Sequence, residues 1–144
     1  YYDEYLKMVN RFAVPILFYD PKGTLTGVNR ELAQQIDIYP TLLDLTGYHK
    51  PFRSWGRSLV SDSIQKPYAI AHNGSNMMFM RDSLIGVFAE NESIGLYDIE
   101  DKGLGNNLMS KDEKTMKKME QMARGFEQDY MNRIIDGQLS AEKK

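Results

Sequence analysis

Tyr68-Ala69-Ile70-Ala71-His72-Asn73-Gly74-Ser75-Asn76-Met77-Met78-Phe79-Met80-Arg81-Asp82-Ser83-Leu84-Ile85-Gly86-Val87-Phe88-Ala89 runs on through Glu90-Asn91-Glu92-Ser93 into Ile94-Gly95-Leu96-Tyr97-Asp98-Ile99. Four short apolar runs are separated by turn chemistry at Asn73-Gly74, Arg81-Asp82-Ser83 and Asn91-Glu92. Such spacing predicts strands over Tyr68–His72, Asn76–Met80, Leu84–Ala89 and Ile94–Ile99, joined as an antiparallel meander. The glycines of Asp101-Lys102-Gly103-Leu104-Gly105-Asn106-Asn107 lack a third, helix-opening glycine, so this stretch is expected to be a loop and not a nucleotide cradle.

Downstream, Ser110-Lys111-Asp112-Glu113 has the pattern of a capping box. Met116, Met119, Ala123, Phe126, Tyr130 and Ile134 then fall three or four residues apart before Gly137, which predicts a long amphipathic helix. Gly125 inside it costs about 1 kcal/mol relative to Ala, so packing must supply the helix's stability.

Upstream, Ala13-Val14-Pro15-Ile16-Leu17-Phe18-Tyr19 is a nearly continuous apolar run ended by Asp20-Pro21-Lys22-Gly23, the expectation for a strand buried on both faces. Asp37-Ile38-Tyr39-Pro40-Thr41-Leu42-Leu43-Asp44-Leu45-Thr46-Gly47 predicts a short helix capped by Asp37 and closed by Gly47, with Ile38, Leu42 and Leu45 as its buried stripe. On that reading Asp37→Ala costs about 1 kcal/mol and Leu42→Ala about 2–5 kcal/mol. Residues 48–67 mix aromatics, cations, Gly and Pro without a period and read as an ordered loop pinned by Trp55.

The 144 residues are near the common size of one domain, and their 42% hydrophobic and 26% charged content excludes a disordered chain. A net charge of −2 provides no positive field for nucleic acid. With no cysteine, disulfides, thiolate metal sites and a cysteine nucleophile are excluded. No apolar run approaches the ~18 residues a spanning helix needs. The opening Tyr1-Tyr2-Asp3-Glu4 has neither an initiating Met nor a basic region, and the expectation is a piece of a longer protein whose signal or anchor lies upstream.

Four segments carry a family resemblance. Gln35-Ile36-Asp37-Ile38-Tyr39-Pro40-Thr41-Leu42-Leu43-Asp44-Leu45-Thr46-Gly47 resembles the sulfatase pattern in which an Asp and a Pro-Thr open a short helix ending in Gly. Val14-Pro15-Ile16-Leu17-Phe18-Tyr19 is similar to that family's Val-Pro strand, Trp55-Gly56-Arg57-Ser58-Leu59 to its Gly-x-Ser-Leu loop, and Leu96-Tyr97-Asp98-Ile99 to its late Leu-Tyr-Asp-Leu strand, in the same order. The Arg53-Ser54-Trp55-Gly56-Arg57-Ser58-Leu59 form most resembles lipoteichoic-acid synthases and related phosphoglycerol transferases. One departure is Asp101-Lys102-Gly103-Leu104, where many sulfatases have Asp-Pro-x-Glu.

The resemblance implies the C-terminal part of an alkaline-phosphatase-superfamily enzyme, covering about residues 12–108. Its fold would be α/β (α+β in isolation): one or two strands of a central sheet, a short helix, a four-stranded antiparallel sheet and a long C-terminal helix. Residues 1–67 would close the sulfatase-like core, and 68–144 would form the antiparallel subdomain. Such enzymes hydrolyse or transfer sulfate or phosphate esters with a metal-bound Thr, Ser or formylglycine nucleophile. Nucleophile and Asp-His metal pair both precede the Val-Pro strand, and this chain has no Asp-His pair. The resemblance therefore implies no catalytic residue and no metal ligand here. For the whole enzyme it implies a divalent metal (Mn, Zn, Mg or Ca), an upstream catalytic domain as partner, and an extracytoplasmic, membrane-anchored location at the periplasm or cell surface.

Among individual residues, His49, Arg53 and Arg57 are the substrate-binding candidates, because guanidinium forks and an imidazole suit sulfate or phosphate oxygens. Lys50 lies beside them; surface pairing with nearby carboxylates is the competing role. His72, at a strand end, reads as structural. Asp37 and Asp44, about 10 Å apart along one helix face, are too far apart for a retaining carboxylate pair. Asn73-Gly74-Ser75 and Asn91-Glu92-Ser93 match the glycosylation sequon but read as hairpin turns. Met116, Met119, Met122 and Met131 support an alternative function, a self-standing interaction module binding through a Met-rich helix, with core filling as its rival. Cutting the Val14–Tyr19 strand from its sheet neighbours leaves an unpaired edge, from which a homodimer is expected.

Overall fold

The four runs become β1 (Tyr68–Asn73), β2 (Asn76–Arg81), β3 (Leu84–Phe88) and β4 (Ser93–Asp98) in a computed structural model, which describes residues 7–61, 66–90 and 92–140. Tyr1-Tyr2-Asp3-Glu4, Asn91 of the third turn and of its sequon, and the last four residues of the tail lie outside the described residues. The sheet order is β1-β2-β3-β4, every pair antiparallel, as the turns predict. Gly74 takes a φ of +64° and Asp82 one of +54°, the left-handed conformations that tight turns require and that Gly and Asp tolerate best.

Side chains of the sheet alternate between two buried faces. Met77, Phe79, Phe88 and Leu96 lie under the long helix, here α2 (Glu113–Ile135), whose Met116, Met119 and Ala123 close that core. Gly86 makes room for the Phe88 ring on this face, since a Cβ there would run into it. The β3–β4 register shifts between Val87 and Phe88, skipping Ile94. That extra residue lets Ser93 reach across to donate to Glu120 Oε2 on α2 at 3.0 Å.

On the other face Met78, Met80, Ile85 and Val87 pack beneath Met8, Val9, Leu32 and Leu104. Both outer strands have edge groups satisfied by loops. The Ile70 N–H donates to Gln34 Oε1 at 3.2 Å, and on β4 the Leu96 N–H donates to Asn107 Oδ1 at 3.2 Å while Leu108 N–H donates to Leu96 O at 2.7 Å.

Two expectations are corrected. Ala13–Tyr19 forms no strand: after a 3₁₀ turn at Asn10–Phe12 the chain runs without regular structure, with Val14, Leu17 and Tyr19 exposed and Ile16 and Phe18 half-buried. A strand needs a partner for its backbone, and no other described segment lies beside this one as a strand. Among the described residues the mixed α/β architecture therefore consists of the four-stranded sheet and two α-helices, with no strand of a second sheet. The long helix is capped by Asp112, which accepts the Thr115 N–H at 3.0 Å, and not by Ser110. Gly137 follows its end with φ +65°, a left-handed closing position, and Gly47 takes the closing role expected of it after the short helix, with φ +69°.

Candidate functional site

The short helix, α1 (Ile38–Leu45), is entered through a 3₁₀ turn at Gln35–Asp37. Its buried face is turned away from the expected stripe, of which only Ile38 is half-buried. Asp37, Pro40 and Thr41 are buried, whereas Leu42 and Leu45 are 47% and 40% exposed. Asp37 Oδ2 accepts the Gln34 N–H at 3.0 Å, and Oδ1 accepts the Arg57 N–H at 2.9 Å. Thr41 Oγ1 donates to Asp37 O at 2.6 Å and accepts the Leu59 N–H at 3.0 Å.

Asp37 stands at the N-cap position, but its side chain makes no capping hydrogen bond to α1, which corrects the expected cap: its carboxylate is turned to the Gln34 and Arg57 amides instead. With Thr41 it fixes the backbone of a loop about twenty residues further on, so the helix start and the Gly56–Leu59 loop form one unit. Gly56 is required at the contact, because a Cβ there would run into the Ile36 carbonyl and the Asp37 nitrogen. Ser58 Oγ closes the far end by donating to Asp44 Oδ2 at 2.7 Å. That hydrogen bond, with further help from Ser61 and the charge of His49, holds the Asp44 carboxyl below its ordinary range.

Trp55 pins the loop to α2, as expected. Its Nε1–H donates to Asp129 Oδ2 at 2.8 Å, its ring lies 5.3 Å from Tyr130 and 6.3 Å from Phe126, and the Arg133 guanidinium sits 4.9 Å over its centroid. The Tyr68 hydroxyl donates to Trp55 O, tying the same loop to β1. Burial, and next the charge of Asp37, push the Tyr68 hydroxyl pKa up.

The three substrate-binding candidates are engaged by different partners. Arg57 Nη2 donates to Glu31 Oε2 at 3.0 Å and to Leu32 O at 3.2 Å, with its side chain only 9% exposed. Arg53 Nη1 donates to Gln138 O at 3.0 Å and Gln138 Oε1 at 3.2 Å. His49 is exposed on the loop after α1, as is Lys50. His72 is exposed on β1. Of the four helix methionines, Met116 and Met119 are buried beneath the sheet, Met122 is half-buried with its sulfur accepting from Arg81 at 3.2 Å, and Met131 is exposed.

Among the described residues no three His, Asp or Glu side chains come together as metal ligands. No helix among the described residues is long and apolar enough to cross a membrane. The buried polar lock itself was missed in the sequence. Its signal was a Thr four residues after the Asp, which places both on one helix face. No protein-family model matches the chain, and no curated protein matches it.

Proposed function

We propose that this chain is the C-terminal part of a metal-dependent, sulfatase-like enzyme of the alkaline phosphatase superfamily, which hydrolyses or transfers sulfate or phosphate esters and includes phosphoglycerol transferases among its relatives. The observation that carries the reading is the lock between Asp37, Thr41, Gly56, Arg57 and Leu59. Two of the segments on which the resemblance rests, separated in sequence, meet through the residues that define each of them. A chance match to two short patterns would not require that the Asp, the Thr and the Gly all serve one contact.

In this reading the chain supplies a rigid helix-and-loop wall and not the chemistry. Nucleophile and divalent metal belong to an upstream catalytic domain, which packs on the exposed apolar side chains of residues 14–45. The whole enzyme works outside the cytoplasm, held to the membrane by a segment upstream. Of the cations, Arg53 is the better placed to meet an anionic headgroup, since its present acceptors are a main-chain carbonyl and a neutral amide on an exposed surface. Arg57 is committed to Glu31 and orders the loop instead.

The isolated chain is expected to show no turnover of aryl sulfate or aryl phosphate with added Mn²⁺ or Zn²⁺, because both the attacking group and the Lewis acid are elsewhere. Metal-dependent release of product above a buffer control overturns the division of labour. The coding sequence upstream is the second check: a Thr, Ser or Cys nucleophile followed by an Asp-His pair is expected, and a start codon near Tyr1 removes the reading.

A further inference from the structure

Arg81 ends β2 and Met122 lies in the middle of α2, and the two meet between sheet and helix, where Arg81 Nη1 donates to Met122 Sδ at 3.2 Å. Both residues are half-buried. Among the described residues no carboxylate pairs with Arg81; that of the neighbouring Asp82 lies 3.9 Å from Lys66 Nζ. A guanidinium carries five N–H donors and bonds most strongly to charged or strongly dipolar acceptors, whereas a thioether sulfur is a weak acceptor. The donor is in place, and the acceptor is poor. Other methionines have no such neighbour. Met77, Met78, Met80, Met116 and Met119 are at most 6% exposed, and among the described residues no donor reaches their sulfurs. Met8 accepts from the neutral Asn73 amide at 2.9 Å, and Met131 is 50% exposed without a donor.

We propose that Met122 is a site of oxidation by peroxide, and that Arg81 is placed to hold the sulfoxide formed there. The sulfur attacks one oxygen of hydrogen peroxide: an S–O bond forms, the O–O bond breaks, and the hydroxide released takes the proton of the transferred oxygen and leaves as water. The sulfur is oxidised by two electrons and the peroxide is reduced by them. At the five core sulfurs such a product is damaging, because it sets a polar group among apolar side chains with no partner. At Met122 the new oxygen is bonded to a sulfur already 3.2 Å from a guanidinium nitrogen. A small rotation of either flexible side chain then completes a charge-assisted hydrogen bond, stronger than the one it replaces. That bond joins β2 to α2, so the oxidised helix stays seated on the sheet. Half-burial leaves Met122 within reach of a molecule as small as peroxide, whereas the core methionines are covered.

Nothing in this depends on the enzyme reading. Limited treatment of the whole chain with hydrogen peroxide, followed by peptide mass mapping, should show one added oxygen at Met122 under conditions that leave Met77, Met78, Met80, Met116 and Met119 unmodified. Thermal midpoints of treated and untreated protein then test the role of Arg81. Oxidation is expected to lower the midpoint of Arg81→Leu by about 5 °C more than that of wild type, because the sulfoxide is left without its donor. Arg81→Lys keeps a charged donor and should lose less. In a Met122→Leu background the Arg81 substitution should no longer change the response, which separates Met122 from the more exposed Met131. In wild type itself, the Arg81 side-chain N–H resonances should shift as Met122 oxidises and stay fixed in Met122→Leu, a readout that holds even where Arg81→Leu fails to fold. A Met122 that stays unmodified until the core methionines react, an Arg81→Leu protein no more sensitive than wild type, or Arg81 resonances indifferent to oxidation, overturns the proposal.

Discussion

Ile85-Gly86-Val87-Phe88 in β3 and Ile16-Leu17-Phe18-Tyr19 near the start of the described chain have nearly the same β-forming composition, yet only the first is a strand. In β3 the backbone is paired on both sides, and Ile85 and Phe88 are 0% and 1% exposed. The N-terminal segment has no such neighbour, and it leaves Leu17 almost fully in solvent. Composition makes a segment competent for a sheet, and a neighbouring strand makes it part of one. Within residues 68–140 the neighbours are supplied by turns of a few residues. For residues 13–19 no described segment supplies one.

The strongest test of that contrast is a pair of identical substitutions. Leu96→Ala removes a side chain that is 1% exposed between the sheet and α2 and is expected to cost about 2–5 kcal/mol, the range for a Leu truncation that leaves a cavity. Leu17→Ala, in solvent, should stay within about 0.5 kcal/mol in the monomer. Urea melts at low protein concentration measure both. Comparable losses at the two sites would mean that the N-terminal run is packed in the monomer after all.

A second pair sharpens the comparison inside α1. Asp37→Ala leaves the Gln34 and Arg57 N–H groups without their acceptor, and at about 1–3 kcal/mol for each buried donor the expected loss is about 3 kcal/mol. Leu42→Ala, at a half-exposed position, should cost less than about 1 kcal/mol. This ranking reverses the one the helical periodicity suggests. Asp37→Asn keeps a carbonyl oxygen and should recover part of the loss. A larger effect at Leu42 than at Asp37, in the same urea melts, would show that the apolar stripe and not the polar lock seats the helix.

These cases show where the sequence was legible. β1 to β4 could be read because Asn73-Gly74 and Arg81-Asp82-Ser83 specify their turns locally, and α2 because Met116, Met119 and Ala123 keep a helical period over a long span. α1 was found at the right residues, but its buried face was misjudged: the groups that hold it, the Arg57 and Leu59 amides, lie on a loop that no periodicity connects to the helix. The strand expected at Ala13–Tyr19 is absent for a related reason: its alternation is local, but a strand also needs a neighbour, and no described segment pairs with it. For His49, Arg53 and Arg57 the residue types were visible, whereas the acceptors that now engage the two arginines, Gln138 and Glu31, depend on tertiary contacts.

The smallest expected effect concerns the turn that ends the exposed segment. Asp20 accepts hydrogen bonds from the Thr24 hydroxyl and from the Lys22, Thr24 and Leu25 N–H groups, and these bring its pKa from 3.8 down to about 2. The Thr24 hydroxyl contributes most. A carboxylate with a lowered pKa in the folded turn stabilises it fully above the unfolded value and ceases to do so as pH falls through the folded one. The turn is therefore expected to hold at pH 5 and to open between about pH 4 and pH 2. The paired sheet, whose backbone bonds do not titrate, should keep its amide protection through the early part of that range. Thr24 and Leu25 amide shifts followed by NMR against pH would show the transition, and Asp20→Asn should abolish it while leaving the Ile85 and Val87 amides unmoved. If Thr24 and Leu25 titrate together with the sheet amides, the turn is not an independent unit, and the contrast between the two halves is weaker than their burial implies.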